Sequence, residues 1–293
     1  MSNFELLDTF PDFLACWATA CTLPLDEQID RWQHEYLAPW PELFLKQRND
    51  YAAQGVDWRA IARERVFPFL ARRLPAMRAA HAELPQVAPA VYARSRERLG
   101  LDCAVRFVIH VGNGNGAGWV TSFGGVPAVL FGLENIAECG WSDPEALTGL
   151  AAHELGHVVH YEWRRQAGLE SPADGPWWFQ LYEEGFAQYA EDLVAGKDSW
   201  HEAAGDEWVA WCRANQARLA RMFLDDVDRG ESVKRFFGSW FDIEGHAQCG
   251  YFLGHVMIHG WAAARPLREI ACLPLDEIQP RARQALQDMA RAP

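Results

Sequence analysis

The stretch His153-Glu154-Leu155-Gly156-His157 (HELGH) places two histidines four residues apart with a glutamate between them. On an α-helix, side chains at this spacing project from one face about one turn apart, so both imidazoles can reach one divalent metal ion. The glutamate then lies beside the open position of that metal, where it can take a proton from a bound water. The stretch therefore predicts a metal centre with His153 and His157 as ligands and Glu154 as general base.

The residues around HELGH carry the start and stop signals of a helix. Ser142-Asp143-Pro144-Glu145 offers a capping side chain, an early proline and an acidic first turn. Apolar residues follow at helical spacing, and Arg164, Arg165 and Gly168 suit a helix C-terminus. We predict a helix over residues 143–167 with both histidines in its middle. The alternative is a buried helix whose two histidines are ordinary core residues.

A catalytic zinc site needs a third protein ligand and a vacant fourth position. Trp163 excludes a third histidine six residues after the second, and His160 would approach the same helix face only obliquely. Two acidic candidates, Glu183 and Glu184, belong to a second predicted helix over residues 178–195. Adjacent helix residues point about 100° apart, so only one of these two carboxylates can face the metal.

HELGH followed by a glutamate on the next helix resembles the gluzincin plan of zinc metallopeptidases. Glu184-Gly185-Phe186-Ala187 resembles the segment that carries the third zinc ligand in aminopeptidase-N-like enzymes, although Glu183 stands where that family has Asn. With the later Gly250-Tyr251-Phe252-Leu253-Gly254, the chain is similar to small predicted zinc-dependent proteases of the DUF2268 type. The resemblance covers roughly residues 105 to 260.

This resemblance implies peptide-bond hydrolysis with one Zn²⁺ per chain and Glu184 as the third ligand. It favours Tyr251 as the electrophile that donates to the oxyanion beside the zinc, with His255 as the alternative four residues later. Gln188 and Glu191 follow Glu184 by about one and two helical turns. Either can accept a hydrogen bond from the second ring nitrogen of a ligand histidine, which would fix the orientation of that ring.

Upstream of HELGH, three apolar runs rich in β-branched residues predict a small sheet: Val105–Val111, Trp119–Phe123 and Pro127–Phe131. The glycine-rich segment Gly112–Gly118 lies between the first two runs. It does not match a dinucleotide-binding loop in register, and a strand follows it instead of a helix. The segment therefore predicts a flexible loop of a hairpin. In gluzincins an antiparallel edge strand beside the active helix binds extended peptide through main-chain pairing.

The substrate-binding candidates on this sheet are Gly125, Val126 and Glu134. Gly132-Leu133-Glu134-Asn135 loosely resembles the motif by which aminopeptidases hold a free N-terminus, with Leu133 in place of Met. An aminopeptidase in which Glu134 binds the substrate amine is therefore an alternative function. The simpler interpretation of Glu134 is an acidic residue at a strand end.

Two further alternatives stay open. The chain could be a zinc- or peptide-binding protein without turnover, although a pure binding site has no use for a base such as Glu154 between its ligands. It could also be a helical scaffold that carries the motif by chance.

The amino-acid composition limits which classes of partner and which cellular compartment we expect. The 293 residues include 27 basic and 40 acidic side chains, for a net charge of −13, which disfavours nucleic acid and anionic membranes as partners. A peptide or protein substrate is the expected partner. Seven cysteines without a CxxC pair argue against a disulfide scaffold and a thiolate zinc site. No signal peptide or apolar membrane span is evident, so the expected location is cytoplasmic.

The predicted fold class is α+β and mostly helical. Residues 101–293 are expected to form a zincin-like catalytic domain, with a small mixed or antiparallel sheet beside the HELGH helix. Residues 1–100 are expected to form a helical N-terminal region, with the boundary near Gly100, although the two parts can belong to one domain. Further helices are predicted over residues 26–50, 57–99 (broken by prolines), 202–228, 247–264 and from 275 onward.

Overall fold

The computed structural model describes residues 4–172, 175–201, 206–238 and 240–292, and its architecture is α+β as predicted. The strands are β1 (Phe4–Asp8), β2 (Val105–His110), β3 (Gly118–Phe123) and β4 (Val126–Gly132). They form one mixed sheet in the order β1-β2-β4-β3. Strands β1 and β4 both run parallel to β2, whereas β3 pairs antiparallel with β4 and forms one edge of the sheet.

The three strands predicted between residues 101 and 132 are confirmed, and β1 is an addition that the sequence patterns do not predict. Strand β1 has only five residues, and it pairs with β2 from Phe4 opposite Val105 to Asp8 opposite Ile109. A partner so distant in sequence leaves no local signal. The N-terminal hundred residues are therefore not purely helical.

The chain forms two compact units. The first takes the chain up to Ala93 together with Asp102–Glu154, and the second takes Arg94–Leu101 together with the chain from Leu155 onward. Within the first unit, strand β1 joins the N-terminal residues to the sheet, and the domain boundary near Gly100 stays a prediction.

Six α-helices described in the first unit, or beginning in it, precede the HELGH helix: α1 (Phe10–Ala20), α2 (Leu25–Arg31), α3 (Pro41–Ala53), α4 (Trp58–Ile61), α5 (Phe67–Leu99) and α6 (Leu133–Cys139). Two short π-helical segments, Trp32–Tyr36 and Ala62–Val66, follow α2 and α4. Then follow α7 (Pro144–Gln166), α8 (Trp177–Ala195), α9 (Asp206–Arg229), α10 (Cys249–Ala262), α11 (Leu267–Ala271) and α12 (Leu275–Arg291). The predicted helices from residue 143 onward are thus confirmed to within a few residues, except that residues 202–205 lie outside the described part of the chain. Among the described residues, no helix has the length and apolar composition that a membrane crossing requires.

Helix α5 is longer and more continuous than the prolines predict. Pro75, Pro85 and Pro89 all lie inside it, and each removes one backbone donor from the helix. The helix is supported by a fully buried apolar stripe that repeats every seven residues: Leu70, Met77, Leu84 and Val91. Burying one such side chain contributes roughly 1.5–3 kcal/mol, which offsets the cost of the missing hydrogen bonds.

Helix α7 begins and ends as its sequence predicts. The Asp143 side chain accepts hydrogen bonds from the backbone N–H groups of Glu145 and Ala146, at 2.9 and 3.0 Å. At the other end, Gly168 adopts a φ of 68°, which suits glycine best. Arg164 is fully buried instead of lying at an exposed helix end. Its guanidinium donates to backbone carbonyls of the loop after α7 and of the segment before α12: those of Glu170, Ala271 and Leu273.

Glycines let helices α7, α8 and α10 approach one another at backbone distance within the second unit. A Cβ atom on Gly254 of α10 would lie 2.6 Å from the Leu181 carbonyl oxygen and 2.8 Å from the Gly185 Cα, both on α8. A Cβ atom on Gly156 of α7 would lie 2.9 Å from the Ala190 Cβ. Gly156 belongs to HELGH, and Gly185 follows Glu184 directly. The two motifs are therefore held together by contacts that only glycine permits.

We expect Gly254→Ala to lower the free energy of unfolding by about 2–3 kcal/mol or more, because its methyl group would overlap backbone atoms of α8. Gly260→Ala on the same helix is the matched control, since nothing lies within 4 Å of a Cβ atom there. That exposed substitution should be neutral or stabilise by about 0.5–1 kcal/mol. Urea denaturation of both variants measures the difference, and equal stabilities would contradict the proposed packing.

Candidate metal centre

The two histidines of HELGH lie in the middle of helix α7, and both are buried. His153 and His157 are 2% and 8% exposed, so their imidazoles lie below the molecular surface. The division between the two units falls after Glu154, inside this helix, and the helix itself is continuous from Pro144 to Gln166. The helical spacing that the sequence predicts for the two rings is therefore present.

Helix α8 brings a carboxylate to the second histidine. The Glu184 Oε2 atom lies 3.2 Å from the His157 Nε2 atom. His153, His157 and Glu184 each offer one ligand atom, and these atoms all lie within 4.8 Å of one another. Two imidazole nitrogens and one carboxylate oxygen are the three protein ligands of many catalytic zinc sites. The donor set therefore fits a divalent metal.

Glu183 has a hydrogen-bond partner on α7 that is neither of the two histidines. Its Oε2 atom accepts a hydrogen bond of 2.9 Å from the Tyr161 hydroxyl. Burial raises the pKa of Glu183 to about 7. Of the two acidic candidates, the structure thus places Glu184 with the histidines.

A second buried group of ligand-type residues shares His153. His153, Glu191 and His201 also offer ligand atoms within 4.8 Å of one another, and all three residues are buried. His201 was not predicted as a site residue, because it lies in a loop and no spacing rule connects it to HELGH. A histidine shortly after the third-ligand helix is the only sequence signal that points to it.

Glu191 is the acceptor at the centre of this second group. Its Oε2 atom accepts from the His201 Nδ1 atom at 2.7 Å and from the Gln188 Nε2 atom at 3.0 Å. Its Oε1 atom accepts from the Ser199 hydroxyl at 2.7 Å and from the His201 backbone N–H at 3.1 Å. Gln188 and Glu191 were both predicted to support ligand histidines. In the structure Gln188 supports Glu191, and Glu191 binds His201.

The general-base candidate Glu154 packs against the start of strand β3 in the first unit. A Cβ atom on Gly118 would lie only 2.6 Å from the Cγ and Cδ atoms of Glu154. Glycine at this position therefore leaves the room that the Glu154 side chain occupies. Because β3 is the edge strand, its outer main-chain groups pair with no other strand among the described residues. Gly118 was predicted only as part of a flexible loop.

Glu134 lies where β4 ends and α6 begins. It is 1% exposed and belongs to the first turn of α6, two residues after the last residue of β4. Its Oε2 and Oε1 atoms accept hydrogen bonds from the backbone N–H groups of Gly112 and Gly114, at 2.6 and 3.0 Å. Burial raises the pKa of this carboxyl group. Glu134 therefore holds the glycine-rich loop in place, and its binding of a substrate amine stays a prediction.

Gly125 and Val126 lie at the far end of the β3–β4 hairpin from Glu154. Val126 pairs with Phe123, whereas Gly118 pairs with Phe131 at the other end. Five residues of extended strand separate these ends by about 17 Å. The structure thus does not bring the two predicted substrate contacts together with the general base.

The two candidates for the oxyanion donor on α10 have different surroundings. The Tyr251 ring is partly exposed and lies 5.9 Å from the ring of Phe237. The His255 Nε2 atom lies 2.6 Å from Asp192 Oδ2, and its ring lies 4.6 Å from that of Trp200. His255 is thus engaged by a carboxylate outside the group of His153, His157 and Glu184.

His160 is a core histidine. It is fully buried among aromatic rings, the nearest being Phe186 at 4.8 Å and Tyr182 at 4.9 Å. Burial lowers its pKa well below the usual value, so the ring is neutral.

Comparisons with protein-family models, with curated proteins and with solved structures found no match to this chain.

We expect Glu191→Gln to lower the free energy of unfolding by about 2 kcal/mol, because an amide group would face donors that now bind a carboxylate. Glu207→Gln, an exposed change of the same kind on α9, should have little effect. Denaturation in the presence of a chelator measures both variants without a contribution from metal binding. Equal midpoints would show that Glu191 is not the acceptor described above.

Proposed function

We propose that this protein is a zinc metallopeptidase of the gluzincin type, which hydrolyses peptide bonds. The observation that carries the proposal is the group formed by His153, His157 and Glu184, whose ligand atoms lie within 4.8 Å of one another. Glu154 follows the first ligand directly in sequence, which is the position of the general base in the HExxH arrangement. We propose one Zn²⁺ per chain, held by these two histidines and this glutamate.

Such an ion supplies Lewis-acid chemistry, since it polarises a carbonyl oxygen and lowers the pKa of a water ligand. The Glu154 carboxylate takes the proton from the water that adds to the carbonyl carbon, and it passes a proton to the amide nitrogen as the C–N bond breaks. Because Gly118 has no Cβ atom, the Glu154 side chain can lie against the start of β3. Tyr251 stays the proposed donor to the oxyanion, through its phenolic hydroxyl.

The substrate is proposed to be an extended peptide that pairs with strand β3. This strand is the sheet edge, and its first residue, Gly118, packs against Glu154. Main-chain pairing with a free edge is a common mode of peptide binding, and it does not depend on a free N-terminus. Because both oxygens of Glu134 bind backbone N–H groups of the glycine-rich loop, the arrangement favours cleavage within a peptide over removal of single N-terminal residues.

A peptide library analysed by mass spectrometry tests this function. We expect the zinc-loaded protein to cleave peptides at internal bonds. Glu154→Gln should reduce the rate at least about a hundredfold while the metal content stays unchanged, because the variant loses the base and keeps the ligands. Equal rates in wild type and Glu154→Gln, or no cleavage by the zinc-loaded wild type, would contradict the proposal.

Gly118→Ala provides a second variant in the same assay. Its methyl group would crowd the Cγ and Cδ atoms of Glu154 within the first unit. It should therefore lower kcat with metal content retained. Full activity in this variant would show that the start of β3 does not position the base.

A further inference from the structure

The second unit contains an open cavity of about 660 Å³ that the proposed chemistry does not use. Helices α8, α9 and α10 and the loop after α8 surround it. Its lining includes Tyr189, Asp192, Asp198, Trp200, Phe252 and His255. A volume of this size holds a small organic molecule or an amino-acid side chain with its flanking backbone.

Aromatic rings form one wall of this cavity. The Trp200 ring lies 4.6 Å from that of His255 and 5.9 Å from that of Phe252. The Tyr189 ring lies 5.9 Å from that of His259, which also lines the cavity. The faces of tryptophan and tyrosine rings attract ammonium and guanidinium groups.

Two carboxylates and one guanidinium account for the charge of the lining, apart from the two histidines. Trp200 Nε1 donates to Asp198 Oδ1 at 2.8 Å, and the Arg213 guanidinium donates to Asp198 Oδ2 at 2.7 Å. The Arg213 side chain is 60% exposed, so its guanidinium is held only at the cavity mouth. Counted from Asp192, Asp198 and Arg213 alone, the lining carries one net negative charge.

The cavity is built from the same two segments as the buried group of Glu191 and His201. Asp192 follows Glu191 on α8, and Trp200 precedes His201 in the loop. The cavity lining and the buried group of Glu191 and His201 therefore share backbone at two points, Glu191–Asp192 and Trp200–His201.

From these observations we propose that the cavity binds the basic side chain of a peptide substrate, an arginine or a lysine. The proposal rests on the function proposed above for the substrate being a peptide. The aromatic wall contacts the face of the cation, and Asp192 and Asp198 accept from its N–H groups. Asp192 does so beside its present partners, the His255 ring at 2.6 Å and the Ser199 backbone N–H at 2.8 Å. Arg213 competes with the substrate for Asp198.

Isothermal titration of Glu154→Gln protein with Nα-acetyl-arginine methylamide tests this binding without any need for turnover. The citrulline analogue is the matched probe, because it has nearly the same shape and no charge. The arginine compound should bind at least about tenfold more tightly, since charge-assisted hydrogen bonds to carboxylates are the stronger kind. Equal affinities, or no binding of the arginine compound at millimolar concentration, would overturn the proposal.

Variants of the lining sharpen the test. Asp192→Asn and Asp198→Asn should each weaken binding of the arginine compound about tenfold. Arg213→Gln should tighten it about threefold, because the competing guanidinium is gone. Glu207→Gln, an exposed change of the same charge on α9, should leave it unchanged. Weaker binding in Arg213→Gln, or unchanged binding in both Asp variants, would contradict this assignment.

The two proposals can fail separately. If the arginine compound binds as described and no peptide is cleaved by the zinc-loaded wild type, the cavity is a cation site and the peptidase function fails. If peptides are cleaved with equal kcat/KM for arginine- and citrulline-containing sequences, the peptidase function stands and the assignment of the cavity fails.

Discussion

The backbone-level approach of α8 to α7 and α10 is the constraint on which the second unit depends. Gly156 brings α7 close to Ala187 and Ala190 of α8, and Gly185 meets Gly254 of α10. A larger side chain at these positions would overlap atoms of the neighbouring helix and push the two helices apart. Hydrogen bonds that depend on this packing would then be stretched beyond their normal length. Because Glu184 precedes Gly185, the same contacts hold its carboxylate 3.2 Å from His157.

Helix α8 carries several polar side chains in a region that is apolar in most protein cores. Glu183, Glu184, Gln188 and Glu191 all lie on α8, over a little more than two helical turns. Burying carboxylates is costly unless each one has a partner. The chain supplies such partners: Tyr161 for Glu183, His157 for Glu184, and Ser199, His201 and Gln188 for Glu191. A buried network of this kind is expected where a protein keeps polar groups for binding or chemistry and not for stability.

Local signals explain which parts could be predicted from the sequence. The bounds of α7 follow from Asp143, Pro144 and Gly168, which act within one turn of the helix ends. The angle between adjacent helix residues limits Glu183 and Glu184 to one ligand, and the resemblance to gluzincins favours the one that the structure places beside His157. Within the sheet, the apolar runs of β2, β3 and β4 predict the three strands, but the hairpin predicted around Gly112–Gly118 is wrong. That segment joins β2 to β3, and among the described residues both of these strands pair with β4 instead of with each other.

The features that could not be predicted depend on contacts between distant residues. Strand β1 pairs with β2, which lies about a hundred residues later in the sequence. Prolines predict breaks in α5, but a buried stripe supports the helix as a whole. Gly118 acquires its role from Glu154, and Glu134 from the N–H groups of the glycine-rich loop. His201 reaches Glu191 through a loop whose course no periodicity specifies.

Metal content of the purified protein tests the central claim most directly, with wild type measured beside Glu184→Gln and Glu183→Gln. The account predicts about one zinc per wild-type chain, lost in Glu184→Gln and retained in Glu183→Gln, because only Glu184 lies with the two histidines. His201→Gln extends the comparison to the second buried group. No zinc in the wild type after reconstitution would contradict the account. Retention in Glu184→Gln with loss in His201→Gln would also contradict it, because the ion would then belong to His153, Glu191 and His201.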